Sequence, residues 1–176
     1  MNQGRVIILG MLVLGCAVGG LSVWLHHQMS RRPLGWWSSE ARELIQTAPR
    51  VDALRLAPPP ATSKDASDVV TVGGEHYAVV SRVQNLEGID GMSHLRDALL
   101  EDANFDWTAE PPSKPPHWQY GLELRDGPRR LTVVFDFNAG VLGSTDGNRT
   151  LKIAKVAQGW QEFFAERFSE AAAKQR

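Results

Sequence analysis

His117-Trp-Gln-Tyr-Gly-Leu-Glu-Leu-Arg125, Asp126-Gly127-Pro128 and Arg129-Arg-Leu-Thr-Val-Val-Phe-Asp-Phe137 follow one another without interruption. In the first run Trp118, Tyr120, Leu122 and Leu124 alternate with Gln119, Glu123 and Arg125. In the third, Leu131, Val133, Phe135 and Phe137 resume the alternation. Side chains alternate across a strand, so each run has one apolar face, and a turn sequence between two such runs predicts a hairpin. A lone hairpin is marginal in water; further strands or a helix must cover its apolar face.

The flanks supply both. Val141 and Leu142, then Asp146-Gly147-Asn148 turning into Leu151 and Ile153, extend the hairpin to a meander of four antiparallel strands. Val156, Trp160, Phe163, Phe164 and Phe168 then recur at helical spacing, opposite a face of Gln161, Glu162, Glu166 and Arg167. That helix is expected to clamp its aromatics onto the sheet. Upstream, His76 to Val83 is rich in β-branched and aromatic residues and predicts a strand. Ile89, Met92, Leu95 and Leu99 predict an amphipathic helix with Asp90 as its cap. Earlier still, Ser38 caps a helix running to Gln46, with Glu40 in its first turn. Trp36 and Trp37 either pack on that helix, the simpler reading, or lie at a membrane surface. Arg50 to Ala57 reads as a short strand and Pro58 to Asp68 as an exposed linker. The expected fold class is α+β, a small domain with an antiparallel sheet packed by two or three helices.

The N-terminus points to a membrane. Val6 to Leu25 is twenty residues without a formal charge. As a helix that run reaches about 30 Å, the thickness of a bilayer's hydrocarbon core. Trp24 near its end and His26, His27, Arg31 and Arg32 beyond it suit an interface. These residues predict one transmembrane signal-anchor helix over about 6–25, rather than a cleaved signal peptide. Its short tail stays inside, so the C-terminal domain is expected outside the cytoplasm. Cys16, the only cysteine, follows Val13-Leu14-Gly15 and offers a lipidation site as the alternative anchor. Gly15 and Gly19 have the small-xxx-small spacing that lets two membrane helices approach. The chain thus divides into 1–32 (tail, anchor, basic flank), 33–68 (juxtamembrane helix, strand, linker) and 69–176 (compact domain).

Charge and motifs exclude several functions. After residue 32 there are 16 basic against 20 acidic residues, about −4. That balance lacks the basic footprint of nucleic-acid binding. No Walker loop, GxGxxG, HExxH or cysteine pair is present, so no cofactor or metal is expected. His76, His94 and His117 fall on a strand, a helix and a loop, the pattern of surface or packing residues. Asp136 lies between Phe135 and Phe137 and projects to the opposite face. If that face is open, the simpler reading, it is solvated; if covered, it needs an arginine or histidine partner. Trp107, in Asn104-Phe105-Asp106-Trp107, either plugs the core or lines a ligand edge. The proline cluster from Pro111 to Pro116 reads as a stiff loop that positions His117 and Trp118, or as a docking segment.

Glu75-His-Tyr-Ala-Val-Val80, Leu95-Arg-Asp-Ala-Leu-Leu100, Phe105-Asp-Trp107 and the two hairpin strands together resemble uncharacterised membrane-anchored or lipoprotein-like bacterial envelope proteins, over residues 51–143. The cysteines often associated with that pattern are absent, so no metal or redox role carries over. The expected function is a non-catalytic interaction or assembly domain with a protein partner. The alternatives are a small-ligand or peptide-binding module with an aromatic cleft near Trp107, His117 and Trp118, and, remotely, a hydrolase using Asp136 and a histidine.

Overall fold

The computed structural model describes residues 11–22, 24, 35–57, 68–110, 112, 114–145, 147–153 and 155–174. Residues 6–10, 23 and 25 of the expected anchor, the flank His26 to Arg32, Pro33-Leu34, the linker 58–67, Pro111, Ser113 and Asp146 lie outside them.

Seven strands form one antiparallel sheet: β1 Arg50–Ala57, β2 Val69–Val72, β3 Glu75–Val83, β4 Tyr120–Asp126, β5 Arg129–Asp136, β6 Val141–Ser144 and β7 Gly147–Lys152. Their order is β2-β3-β1-β4-β5-β6-β7. The β4–β5 hairpin pairs Tyr120 with Phe135 and Asp126 with Arg129, around Gly127 at φ 57°. β1, read from sequence as a short strand before the linker, bridges β3 and β4. β2 was not expected at all. Gly73 and Gly74, at φ 59° and 86°, turn it into β3, a conformation that glycine adopts at no steric cost.

Three helices cover one face: α1 Ser39–Thr47, α2 Met92–Leu100 and α3 Ala157–Lys174. Ser38 caps α1 as expected, its side chain accepting from the Ala41 amide at 3.0 Å. At the other end Arg96 of α2 donates to the carbonyls of Gln46 at 2.9 Å and Ala48 at 2.6 Å. A buried cation there satisfies orphan carbonyls and complements the helix dipole. Trp37 is buried and donates from Nε1 to Leu99 O at 2.8 Å, so it packs in the core. The cap of α2 is Gly91 rather than Asp90, and no side chain bonds to that end.

Two cores result. Between helices and sheet, Val51, Leu122, Leu124, Leu131, Val133 and Phe135 meet Leu44, Ile45, Leu99, Trp160 and Phe164. Phe135 stands 5.3 Å from Phe164 and 5.6 Å from Trp160, centroid to centroid. On the opposite face Leu54, Leu56, Val70, Val72, Tyr77, Trp118, Val134 and Val141 form a second cluster. β2 and β6 stand five places apart in the strand order, about 24 Å in a flat sheet. Their side chains share one cluster because the sheet curls, making this its inner face. Curling also overturns the expected phase of Trp118. The strand begins only at Tyr120, and Trp118 turns into the inner core rather than toward the helices.

The membrane reading is corrected. The described residues 11–22 are helical. Among the described residues no helix is long and apolar enough to cross a membrane. The single-pass anchor, and the extracytoplasmic placement built on it, therefore lose their support. The stretch is exposed throughout, Cys16 included. A Cβ at Gly15 or Gly19 would touch nothing within 4 Å.

Candidate functional site at the two ends of the inner face

One end of the inner face is ionic. Asp52 of β1 and Glu123 of β4 are direct cross-strand partners, 0 % and 2 % exposed. Like charges so placed repel unless a cation stands between them. Arg82 of β3 fills that place, Nη1 donating to Asp52 Oδ2 at 3.0 Å and to Glu123 Oε1 at 2.6 Å. Its Nη2 donates to Asp68, just before β2. The Asn85 amide donates to Asp52 Oδ1 at 3.0 Å, and Arg125 donates to Glu123. Burial alone would raise the Asp52 pKa. The Asn85 amide, Arg82 and Arg50 together outweigh it and hold the carboxyl below its ordinary 3.8.

A depressed carboxyl pKa contributes stability that is present above the unfolded value and is lost as pH falls through the folded one. The urea midpoint is therefore expected to be flat from pH 7 to about 5 and to fall below about pH 4. Asp52→Asn should flatten part of that acid limb. An unchanged limb in this variant would remove Asp52 as a contributor.

The other end is aromatic. Trp118, 5 % exposed, packs its ring against Gly143 of β6. A Cβ there would come within 2.8 Å of Trp118 Cη2. Asp136 is 3 % exposed, so the open-face reading is overturned. The curl buries that face. Its partners are not an arginine or an imidazole but backbone amides: His117 at 2.7 Å, and Asn138 and Ala139 at 3.0 Å each. Asp136 thus fastens the Trp118 segment and the β5–β6 turn. His117 contributes its main chain here.

Beside Trp118 opens a pocket of about 250 Å³, lined by Val72, Gly73, Glu75, Pro115, Pro116, Gly143, Arg149 and Thr150. Its walls come from opposite edges of the sheet, the β2–β3 turn and β7. Tyr77 on the inner face donates to Glu75 Oε2 at 2.8 Å. Burial, then the Glu75 hydrogen bond and charge, and the charge of Asp136, push the Tyr77 hydroxyl above its usual value, so it stays a donor.

Trp107 is elsewhere. It is half-buried against the helix-side core, edge-on to Phe105 at 5.6 Å, and donates from Nε1 to Asp102 O at 3.2 Å. It lines a separate cleft with Trp36, Glu110 and Pro112. The expected cleft uniting Trp107 with Trp118 does not form. His76 pairs with Thr71 across β2 and β3, and His94 lines a groove between α2 and α3. Among the described residues no group of three His, Cys, Asp or Glu could hold a metal ion.

The ionic cluster escaped sequence reading, although Asp52 between Val51 and Ala53, and Glu123 between Leu122 and Leu124, carry the signal that drew attention to Asp136. No family model, curated protein or solved structure matches the chain.

Proposed function

We propose that this chain is a non-catalytic interaction domain that holds an extended peptide segment of a protein partner at the pocket beside Trp118. The observation that carries this reading is the pocket's position between two sheet edges. Among the described residues β2 pairs only with β3, and β7 pairs only with β6 apart from an isolated bridge to Asp106. An edge strand offers unpaired amides and carbonyls to an added strand, while pockets beside it select side chains. At about 250 Å³ the pocket falls below the roughly 300–1,000 Å³ typical of small-molecule sites, and it suits one apolar side chain on Trp118, Val72 and the prolines. Glu75, which accepts from Tyr77, and Arg149, which donates to Trp36 O at 3.2 Å, add charges of opposite sign to the lining. The non-catalytic reading draws support from the buried charges. Asp52 and Glu123 are engaged by arginines, Asp136 by amides and Arg96 by helix carbonyls.

The test is selection from a displayed library of random peptides on the full chain, followed by amide-shift mapping with the recovered peptides. Shifts are expected on Val72 to Glu75 and on Thr150, and Pro115→Asp should weaken binding about tenfold. Failure to enrich any peptide, or shifts confined to the α2–α3 groove, would overturn the proposal.

A further inference from the structure

The arginines at the ionic end outnumber what the fold asks of them. Arg50 of β1 is the cross-strand partner of Arg125 of β4, and Arg125 is the partner of Arg130 of β5. Each lies two residues from Asp52, Glu123 or Thr132, which are themselves in register, so all three point to the inner face. Cross-strand neighbours stand about 5 Å apart, so three guanidiniums share a row about 10 Å long. Like charges directly opposite one another are destabilising.

The acceptors available do not match them. Arg50, Arg82, Arg125 and Arg130 converge on Asp52 and Glu123, and Asp52 already accepts from the Asn85 amide. The contacts of Arg50 with Asp52 and of Arg130 with Glu123 are both 3.5 Å. That exceeds the roughly 2.7–3.2 Å of a normal hydrogen bond. Their side chains are 48 % and 61 % exposed. Arg125 Nε is buried without a hydrogen-bond partner. Counting Asp68 as well, four arginines face three carboxylates, a positive spot on a domain that is otherwise acidic.

We propose that Arg50, Arg125 and Arg130 form a binding site for a multivalent oxyanion, a phosphate or a polycarboxylate, at the end of the inner face remote from Trp118. Planar guanidiniums match the oxygen geometry of both groups and donate in pairs. Arg82 lies over the buried carboxylates and offsets part of their charge, the cluster as a whole keeps one positive charge in excess, and an incoming anion meets the outer row. Along β5 the site lies six residues from Asp136, about 20 Å, and it does not depend on the peptide reading.

The test titrates the full chain with inorganic phosphate and, separately, with citrate, following arginine Nε–Hε resonances. Saturable shifts at Arg125 and Arg130 are expected, with a dissociation constant in the range of about 1 mM. Arg130→Gln and Arg50→Gln should each weaken binding roughly fivefold. Arg129→Gln should leave it unchanged, because Arg129 is engaged by Asp126 and Glu43 on the helix side. Saturation by phosphate alone or citrate alone would identify the source, and saturation by both would support the shared chemistry. Absence of saturation with either anion, or equal affinity in Arg129→Gln and Arg130→Gln, would overturn the site.

Discussion

Arg82→Met is expected to lower the free energy of unfolding by about 3–5 kcal/mol. Removing this one guanidinium leaves Asp52 and Glu123 buried as direct cross-strand neighbours. Arg125 still reaches Glu123, but the 3.5 Å contacts from Arg50 and Arg130 are too long to replace two short charge-assisted bonds. A domain with a total of about 5–15 kcal/mol loses a large fraction of it. The asymmetry of buried ion pairs sharpens the test. Breaking one is costly, whereas replacing all its members by apolar residues of similar volume is often neutral or stabilising. Asp52→Leu/Arg82→Met/Glu123→Leu should therefore recover most of the stability that Arg82→Met loses. Urea unfolding followed by tryptophan fluorescence measures both. A cost below about 1 kcal/mol for the single variant would mean that the cluster behaves as a surface pair. Because Arg82 also engages Asp68 beside β2, amide exchange on β2 should quicken first.

How much of this was legible beforehand depends on which scale of the fold decided it. The Asp126-Gly127 hairpin, the Ser38 cap and the apolar face of α3 were readable because alternation, capping and helical spacing are local. β2 was missed because Val69 to Val72 is only four residues long, although the following Gly73-Gly74 is a hairpin signal. The inner face was not readable for a different reason. Period two assigns Asp52, Glu123 and Asp136 to one side of the sheet, but whether that side meets water depends on the curl, which no single strand encodes. Hence Asp136 was expected to be solvated and is buried, and the arginines aligned beside Asp52 and Glu123 drew no attention. The apolar run from Val6 to Leu25 misled in the opposite direction. Hydropathy suggested a span, and among the described residues no helix is long and apolar enough to make one.

Gly143→Ala offers the second large test, because its cost should depend on Trp118. Trp118→Ala alone is expected to cost about 3–5 kcal/mol, the usual range for deleting a buried aromatic. It removes the ring that joins β2 and β3 to β6 across the inner core. Gly143→Ala alone places a Cβ 2.8 Å from Cη2 and 3.0 Å from Cζ2 of that ring. The ring is buried and cannot swing aside like a flexible chain end, so overpacking of about 1–3 kcal/mol follows. In a Trp118→Ala background the same methyl enters vacated space, and the two costs should fall short of additivity by at least about 1 kcal/mol. Urea unfolding of the four proteins completes the cycle. Additive costs would mean that Trp118 does not rest on Gly143, and the peptide pocket would lose its floor. A strong coupling would instead tie the pocket's shape to the closure of the curled sheet. A partner adding a strand at β2 or β7 would then stabilise the same packing that Trp118 provides.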